Sequence, residues 1–533
     1  MAIVTSVVLR RLSVAATCLS LAAASTCYAA TEIDLVARID ASLTKAGKFL
    51  LARQSPDGAW RSETYGAFRD GPTLTPYVMS CLFYLPRAGP KAQVAYRRGV
   101  DYLAGFVDRD GRLAVGPREL LFPVYTAASA SRVVVLQEPS PRNQQAQQAW
   151  LAYLRARQLN EALGWSRSDP EYGGWGFSLG VPEKPRPGQL KERFFESNLA
   201  ATIFGLAALR SAKVPPDDPA YQEALVFVRR CQNFSDDPHQ CDPRFDDGGF
   251  FFIPDDPIQN KAGTAGVDRF DHRRFHSYGT MTADGLRALL RCGLTPEDPR
   301  VVAAREWLES NFSAEHNPGT FEPDRAVLQD ATYYYWTWAV AHAFLATRVR
   351  QIDTAAGQLD WPQAIAEALI RRQQPDGSWI NRYTDAREDD PLVATPWAAA
   401  SLAVCRSMLT GQRETLLTRR QRHSTPPPNF PGPFFLMARV RVQWKPVPGA
   451  LKRWSTFARS TDFSPAPRFI WRWLACSPRP RWVGRERERS PCWWFLSGPR
   501  TSRWSRSGSK CPSRNAPRGR CRSWPLRPPS QSP

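Results

Sequence analysis

Asp330 lies just ahead of the most aromatic stretch of the chain, Tyr333-Tyr334-Tyr335-Trp336-Thr337-Trp338. A carboxyl group at the mouth of an aromatic cavity could protonate an apolar substrate, and the ring faces could hold the resulting cation by cation–π attraction. Asp330 is therefore the catalytic candidate, and Tyr333, Tyr334, Tyr335, Trp336, Trp338 and Tyr278 are candidates for the cavity wall. Asp330 also has a plainer reading as a helix cap that satisfies free backbone N–H groups. A second constellation, Asp268, His272 and His276, has i, i+4, i+8 spacing. On a helix these three would share one face and could ligate a transition metal. The alternative is a solvated loop in which Arg269, Arg273 and Arg274 are ion-pair partners. No cofactor is expected, and a divalent metal at 268–276 stays open. Glu388-Asp389-Asp390-Pro391 reads as an exposed loop.

The elements that must position these groups come from an internal repeat. Arg53-Gln54-Ser55-Pro56-Asp57-Gly58-Ala59-Trp60 reappears as Arg372-Gln373-Gln374-Pro375-Asp376-Gly377-Ser378-Trp379, and each copy is followed by a Thr-Pro pair, Thr75-Pro76 and Thr395-Pro396. Looser copies centre on Asp110-Gly111-Arg112-Leu113, Gly174-Trp175, Gly249-Phe250 and Gly319-Thr320-Phe321. Each turn lies between two stretches of helical apolar period, and the second is the more apolar. A helix that is apolar nearly all round must be buried. Six such hairpins bury their second helices together by curling into a solenoid or ring, and the near-identity of the first and last turns favours a closed ring. No convincing run of period-two strands occurs, so the chain reads as all-α. Asp330–Leu345 reads as one helix, and Thr395 as the start of another.

Composition divides the chain. Of 71 Lys+Arg and 50 Asp+Glu, residues 421–533 hold 23 basic residues and three acids, Asp462, Glu486 and Glu488. That segment carries +20 (23 − 3) and residues 1–420 carry +1 (48 − 47), so the basic pI says nothing of nucleic-acid binding by the repeats. The same segment contains 19 of 47 prolines and nine of 19 tryptophans. Disordered segments are usually poor in aromatics. The mixture reads as a disordered tail or as an out-of-frame translation, with a basic tail on an acidic surface as the rival. At the other end Arg10-Arg11, the apolar run from Leu12 to Ala24 and Cys27-Tyr28-Ala29-Ala30 have the pattern of a secretory signal peptide over residues 1–30. The expectation is a secreted or periplasmic protein with no transmembrane helix. Five cysteines remain between leader and tail; Cys231 and Cys241, flanking a polar loop, could pair.

The Pro-Asp-Gly-Ser-Trp and Gly-Gly-Trp/Phe turns between paired helices resemble the prenyltransferase/squalene-oxidase repeats of the terpenoid-cyclase and protein-prenyltransferase superfamily, over residues 35–410. The resemblance implies an α/α toroid of about six helical hairpins around a cavity lined by aromatic side chains. It also implies a structural role for the turn residues Gln54, Gly58, Trp60, Gly174, Trp175, Gly249, Phe250, Gly319, Phe321, Gln373, Gly377 and Trp379. The family's chemistry is harder to find. The cyclase cluster Asp-x-Asp-Asp-Thr does not occur, and Tyr278 stands seven residues before Gly285-Leu286, where zinc-dependent prenyltransferases have a His. The resemblance thus implies a scaffold that binds an apolar, isoprenoid-like small molecule or a protein partner. The alternatives are a diverged squalene- or hopene-type cyclase with an Asp acid, and a secreted toroid acting on polysaccharide. Whether the chain is an enzyme stays open; a terpene cyclase-like isomerase or lyase fits better than a prenyltransferase.

Overall fold

The computed structural model describes residues 33–416, apart from 87–88, 116–119, 187, 190–194 and 355–356. The leader and the basic tail lie outside the described residues. Five of the outer, first-of-pair helices follow the first, α1 (33–52): α3 (Gly89–Ala104), α5 (Pro141–Arg155), α7 (Pro219–Arg230), α9 (Pro299–Ser310) and α12 (Trp361–Arg372). Four of them start on a side-chain cap with Pro in the first turn. Ser140, Asp218, Asp298 and Asp360 accept from the N–H groups of Asn143, Ala220, Arg300 and Gln363. The cap satisfies a free donor, and Pro has no N–H to leave unsatisfied there.

The inner, second-of-pair helices are α2 (Thr75–Tyr84), α4 (Pro123–Leu136), α6 (Leu199–Ser211), α8 (Gly279–Arg291), α11 (Tyr333–Thr347) and α13 (Pro391–Thr410). Each packs on the next in that order, and α13 packs back on α2, so the six close a ring. This is the architecture of an α/α toroid. α13 is the one described helix long and apolar enough to cross a membrane, but most of its apolar stretch is buried between its neighbours.

Two boundaries differ from the sequence reading. The expected helix 330–345 is broken: a short α10 (Val327–Ala331) ends before Thr332, and α11 begins at Tyr333. Helix α13 starts at Pro391, with Asp390 as its cap, and carries Pro396 inside. Asp390 accepts from the Leu392 N–H at 2.8 Å, so the helix starts four residues before the expected Thr395. Two short hairpins also interrupt the all-α reading: β1 (Thr264–Val267) pairs with β2 (Arg273–Phe275), and β3 (Gln351–Thr354) with β4 (Gly357–Asp360), both antiparallel.

The repeated turns do the joining. The carboxamide of Gln54 donates to Gly58 O within its own turn (2.9 Å) and to Ala95 O on α3 of the next hairpin (2.8 Å). Gln158 repeats this with Gly173 O and Ala220 O, and Gln232 with Gly248 O and Arg300 O. In the last unit Gln373 donates to Gly377 O and Ser42 O, both at 3.0 Å, and accepts from Ser42 Oγ at 2.8 Å. The last turn is thereby tied to the first helix, 331 residues away. The aromatic residue of each turn fastens the hairpin internally. Trp60, Trp175 and Trp379 donate Nε1–H to Leu50, Leu154 and Leu369 O on their own outer helices. Their backbone N–H groups, and that of Phe250, donate to Thr75, Thr202, Thr395 and Thr282 Oγ1 on the inner helices.

Gly58 and Gly377 sit at φ +95° and +92°, and a Cβ there would lie 2.4 Å from Arg98 O and 2.5 Å from Lys45 O. Both the dihedral and the close approach of the next hairpin require glycine. Gly319 and Phe321 serve a different turn: Gly319 bridges to Tyr278, and Phe321 packs on the Tyr278 ring.

Replacing Gln373 with Ala leaves two carbonyls without their donor at the closing seam. We expect a loss of about 1–3 kcal/mol in urea unfolding, larger than for an exposed control such as Gln374→Ala. Equal losses in the two variants would mean that the seam is not what the carboxamide holds.

Candidate functional site

The inner helices bring one set of aromatic side chains to the centre of the ring. Tyr125 (α4), Phe204 (α6), Tyr335 and Trp338 (α11) and Trp397 (α13) form a continuous cluster. Trp338 lies 4.5 Å from Trp397 and 6.1 Å from Phe204, centroid to centroid; Tyr335 lies 5.1 Å from Trp397; and Phe204 lies 4.8 Å from Tyr125. All five keep accessible surface although their helices are otherwise buried on this side. They meet one another at the centre and pack against the main core, each only partly buried.

One charged group meets this cluster from α8. Asp284 is fully buried, accepts from Arg287 Nη1 at 3.0 Å, and accepts from the Tyr335 hydroxyl. Burial pushes its carboxyl up to about 6, with Arg287, Tyr335 and Arg291 pulling the other way. Arg287 lies over the Trp338 ring at 4.3 Å, so its guanidinium has an aromatic face as well as a carboxylate. Arg291, one turn further on, is deeply enclosed and its pKa is lowered well below the usual value, first by burial and then by Arg287 and Arg132. His342 Nδ1 lies 2.8 Å from Trp338 O. A carbonyl only accepts, so Nδ1 carries the proton and Nε2 is left as a base. Burial holds this imidazole neutral, well below its ordinary pKa.

The sequence candidates are distributed differently. Tyr335 and Trp338 belong to the central aromatic cluster. Trp336 is fully buried on the opposite side of α11 and donates Nε1–H to Ser313 O at 2.8 Å. Tyr333 donates to Ala314 O and lies under Arg372, and Tyr334 reaches Ile380 O. Six consecutive residues of a helix point all round it, so only one stripe can face the centre. Tyr278 is fully buried between α8 and Phe321, with no hydrogen-bond partner for its hydroxyl among the described residues.

Asp330 is neither in the lumen cluster nor the cap of α11. Its backbone carbonyl accepts from Asn381 Nδ2, and the amides at the start of α11 belong to Glu388. Glu388 accepts from Tyr334 N (2.9 Å) and Tyr335 N (2.8 Å) and from Asn381 (3.2 Å). The Glu388-Asp389-Asp390 loop is thus not exposed: Glu388 and Asp390 are each 1% accessible. Asp389 accepts from the Tyr65 hydroxyl and Asp390 from Ser62 Oγ, so this acidic run knits the last hairpin to the first.

The Asp268, His272, His276 set does not lie on one helix face, because its residues flank and follow a β-hairpin. Asp268 closes that hairpin, accepting from the Phe270 and His272 N–H groups at 2.9 Å and pairing with Arg274 at 3.2 Å. Among the described residues no group of three His, Cys, Asp or Glu side chains is placed to hold a metal ion. Cys231 and Cys241 are both free thiols.

The sequence reading passed over Arg287, Trp397 and His342, and counted Asp284 only among the acids of the segment 236–284. The available signal was the charge on α8: Asp284, Arg287 and Arg291, at i, i+3 and i+7, form a polar stripe on a helix that the repeat pattern requires to be internal.

No family model matches the chain, and no curated protein matches it. Among solved structures the chain is similar to the type II terpene cyclase MstE from Scytonema, at 14% identity over 69% of this chain and 98% of that one, with a TM-score of 0.42. It is similar also to cellobiose 2-epimerase from Spirochaeta thermophila, at 12% identity over 72% and 98%, TM-score 0.46. A glycosidase solved with glucose gives 13% identity over 70% and 98%, TM-score 0.38.

Glu388 makes a pH-dependent contribution to stability. Burial pushes its carboxyl from 4.5 up to about 8, against the three N–H donors. Between those values the folded chain keeps a proton that the unfolded chain has released. Its contribution is complete below pH 4.5 and is lost as pH rises through about 8. Wild-type unfolding free energy should therefore fall across that window more steeply than that of Glu388→Gln. Parallel curves from pH 4 to 9 would show that the helix amides, and not burial, govern this carboxyl.

Proposed function

We propose that the central lumen binds an apolar, isoprenoid-like ligand, and that the chain acts after export as a binding protein for it. The observation that carries this reading is the belt of five accessible aromatic side chains, contributed by four different inner helices, around one buried Asp–Arg–Tyr cluster. Ligand sites are concave and mostly apolar, with a few convergent polar groups that fix orientation. Here Asp284, Arg287 and the Nε2 of His342 are those groups. The sequence at residues 1–30 supports export.

A cyclase reading would place the acid at Asp284 rather than Asp330, because Asp284 is the carboxyl that stands beside the aromatic belt. It is the second reading for a chemical reason. An alkene is a very weak base, and a carboxyl paired with a guanidinium favours its anion. An acid with its pKa raised by burial is also a weaker proton donor than a free one. Binding needs neither property.

The test is a titration of purified protein with a fluorescent polyene, read by energy transfer from tryptophan. Saturable binding is expected, and Phe204→Ala should weaken it by about tenfold or more, equivalent to ~1.4 kcal/mol, with a melting temperature near that of the wild type. Asp284→Asn should leave an all-hydrocarbon ligand bound as before. If the cyclase reading holds instead, wild type converts squalene to a cyclic product and Asp284→Asn does not. Binding that fails to saturate, or that ignores Phe204, would remove the lumen from consideration.

A further inference from the structure

The lumen's aromatic belt continues past Tyr125 to a lysine. Phe177 stacks on Tyr125 (5.7 Å, 22°), Phe252 stacks on Phe177 (6.3 Å, 28°), and Lys261 Nζ lies 4.1 Å from the centre of the Phe252 ring. The loop that carries Phe252 and Lys261 is rigidly built. Asn260 Oδ1 accepts from the Phe252 and Ile253 N–H groups, its Nδ2 donates to Ile253 O and Asp256 O, and Phe252 O accepts from Leu199 N at the start of α6. The backbone that carries Lys261 is thus fixed, and its amine lies at the end of the stacked aromatic series.

What surrounds its amine is unusual for a lysine. Among the described residues it has neither a hydrogen bond nor a carboxylate partner. The nearby charges are engaged elsewhere: Glu322 pairs with Arg325 at 3.1 Å and accepts from Thr264 N, Arg325 donates to Asn260 O, and Glu196 lies 3.5 Å from Gln259 Nε2. Without a carboxylate to hold the proton, burial alone acts, and it lowers the amine from 10.5 to about 8. Lys261 is partly buried, and a lysine whose pKa is depressed is a nucleophile near neutral pH. An anionic ligand group has better anchors deeper in the ring, where Arg287 and Arg291 offer guanidinium groups.

We propose that Lys261 is a covalent capture site for a carbonyl group, an aldehyde or ketone, on the apolar ligand of the lumen. This rests on the reading of the lumen as an apolar-ligand site. The neutral amine attacks the carbonyl carbon and the C=O π pair moves to oxygen. The carbinolamine then loses water, both of whose hydrogens come from the amine, and leaves an imine between Lys261 and the ligand. No oxidant, reductant or metal is consumed. The aromatic faces of Phe252, Phe177 and Tyr125 cover the chain that follows the carbonyl, and the exclusion of bulk water there slows hydrolysis of the imine.

The experiment uses the full chain, dodecanal as probe and cyanoborohydride to reduce any imine, with intact mass and peptide mapping as readouts. A single adduct at Lys261 is expected at pH 7, formed at least ~10-fold faster than at surface lysines, because a drop of this size in pKa raises the neutral fraction by about three-hundredfold. Lys261→Arg, which keeps the charge over Phe252, should abolish the adduct. Dodecanol, which cannot form an imine, should compete with wild-type labelling. If dodecanol binds while dodecanal labels lysines indiscriminately, or labels Lys261→Arg as fast as wild type, covalent capture is wrong and the lumen reading stands. If dodecanoate binds more tightly to wild type than to Lys261→Ala while dodecanal forms no adduct, Lys261 is an anion anchor and the proposal fails. If neither dodecanol nor dodecanal binds, the lumen reading itself has failed.

Discussion

A single carboxamide, repeated at four of the six turns, determines how one hairpin meets the next there. Gln54, Gln158, Gln232 and Gln373 each donate one hydrogen to the turn that follows them and the other to the outer helix of the neighbouring hairpin. A primary amide is suited to this because it offers two donors in fixed relative directions. The glycine of the same turn allows the next helix to approach within reach. Each turn therefore contains both the linker and the space for what is linked, and successive hairpins are set by short-range geometry. The central aromatic cluster follows from that. Its rings come from four inner helices that are far apart in sequence, held in register by joints at the turns.

Much of this was legible beforehand. The Gln, Gly and Trp positions recur because each makes a backbone contact that almost no other residue type can make, so they stand out in a single sequence. Cap-Pro starts such as Asp218-Pro219 and Asp298-Pro299 are visible for the same reason. The lumen was less so. Tyr333 to Trp338 display aromatic character but not direction, and a shift of 100° per residue sends Trp336 away from the centre while Tyr335 and Trp338 point toward it. Asp330 had the right local position for a cap, yet the α11 amides went to Glu388, whose place near them depends on the last hairpin folding beside the fifth. No window of sequence around either residue contains that fact. Asp268, His272 and His276 failed in another way, because helical spacing has meaning only on a helix and their backbone forms a hairpin.

The polar groups of the lumen share a physical predicament. Asp284, Arg287, Arg291 and His342 all lie where water is scarce, and each is shifted toward its neutral form by burial. They are tolerable there because Asp284 and Arg287 pair, Arg291 and His342 donate to the carbonyls of Ile203 and Trp338, and the Trp338 face absorbs part of the Arg287 charge. A scaffold of apolar helices can carry such a cluster only when its joints lie elsewhere. Here the repeated turns bear the assembly, and the lumen faces of α8 and α11 are released from packing duty.

The seam between the last hairpin and the first has a consequence for how the protein comes into being. Gln373 reaches Ser42, Asp390 reaches Ser62 and Arg406 reaches Asp40 across more than 320 residues. During synthesis the first hairpin is complete long before its final neighbour exists. Until then α2 presents to solvent the flank that α13 will cover, and the nascent ring is an open arc with two unmatched ends. The last hairpin is the keystone: the ring closes only when it is set in place, and the central aromatic cluster, to which α13 brings Trp397, is the last part of the molecule to be completed.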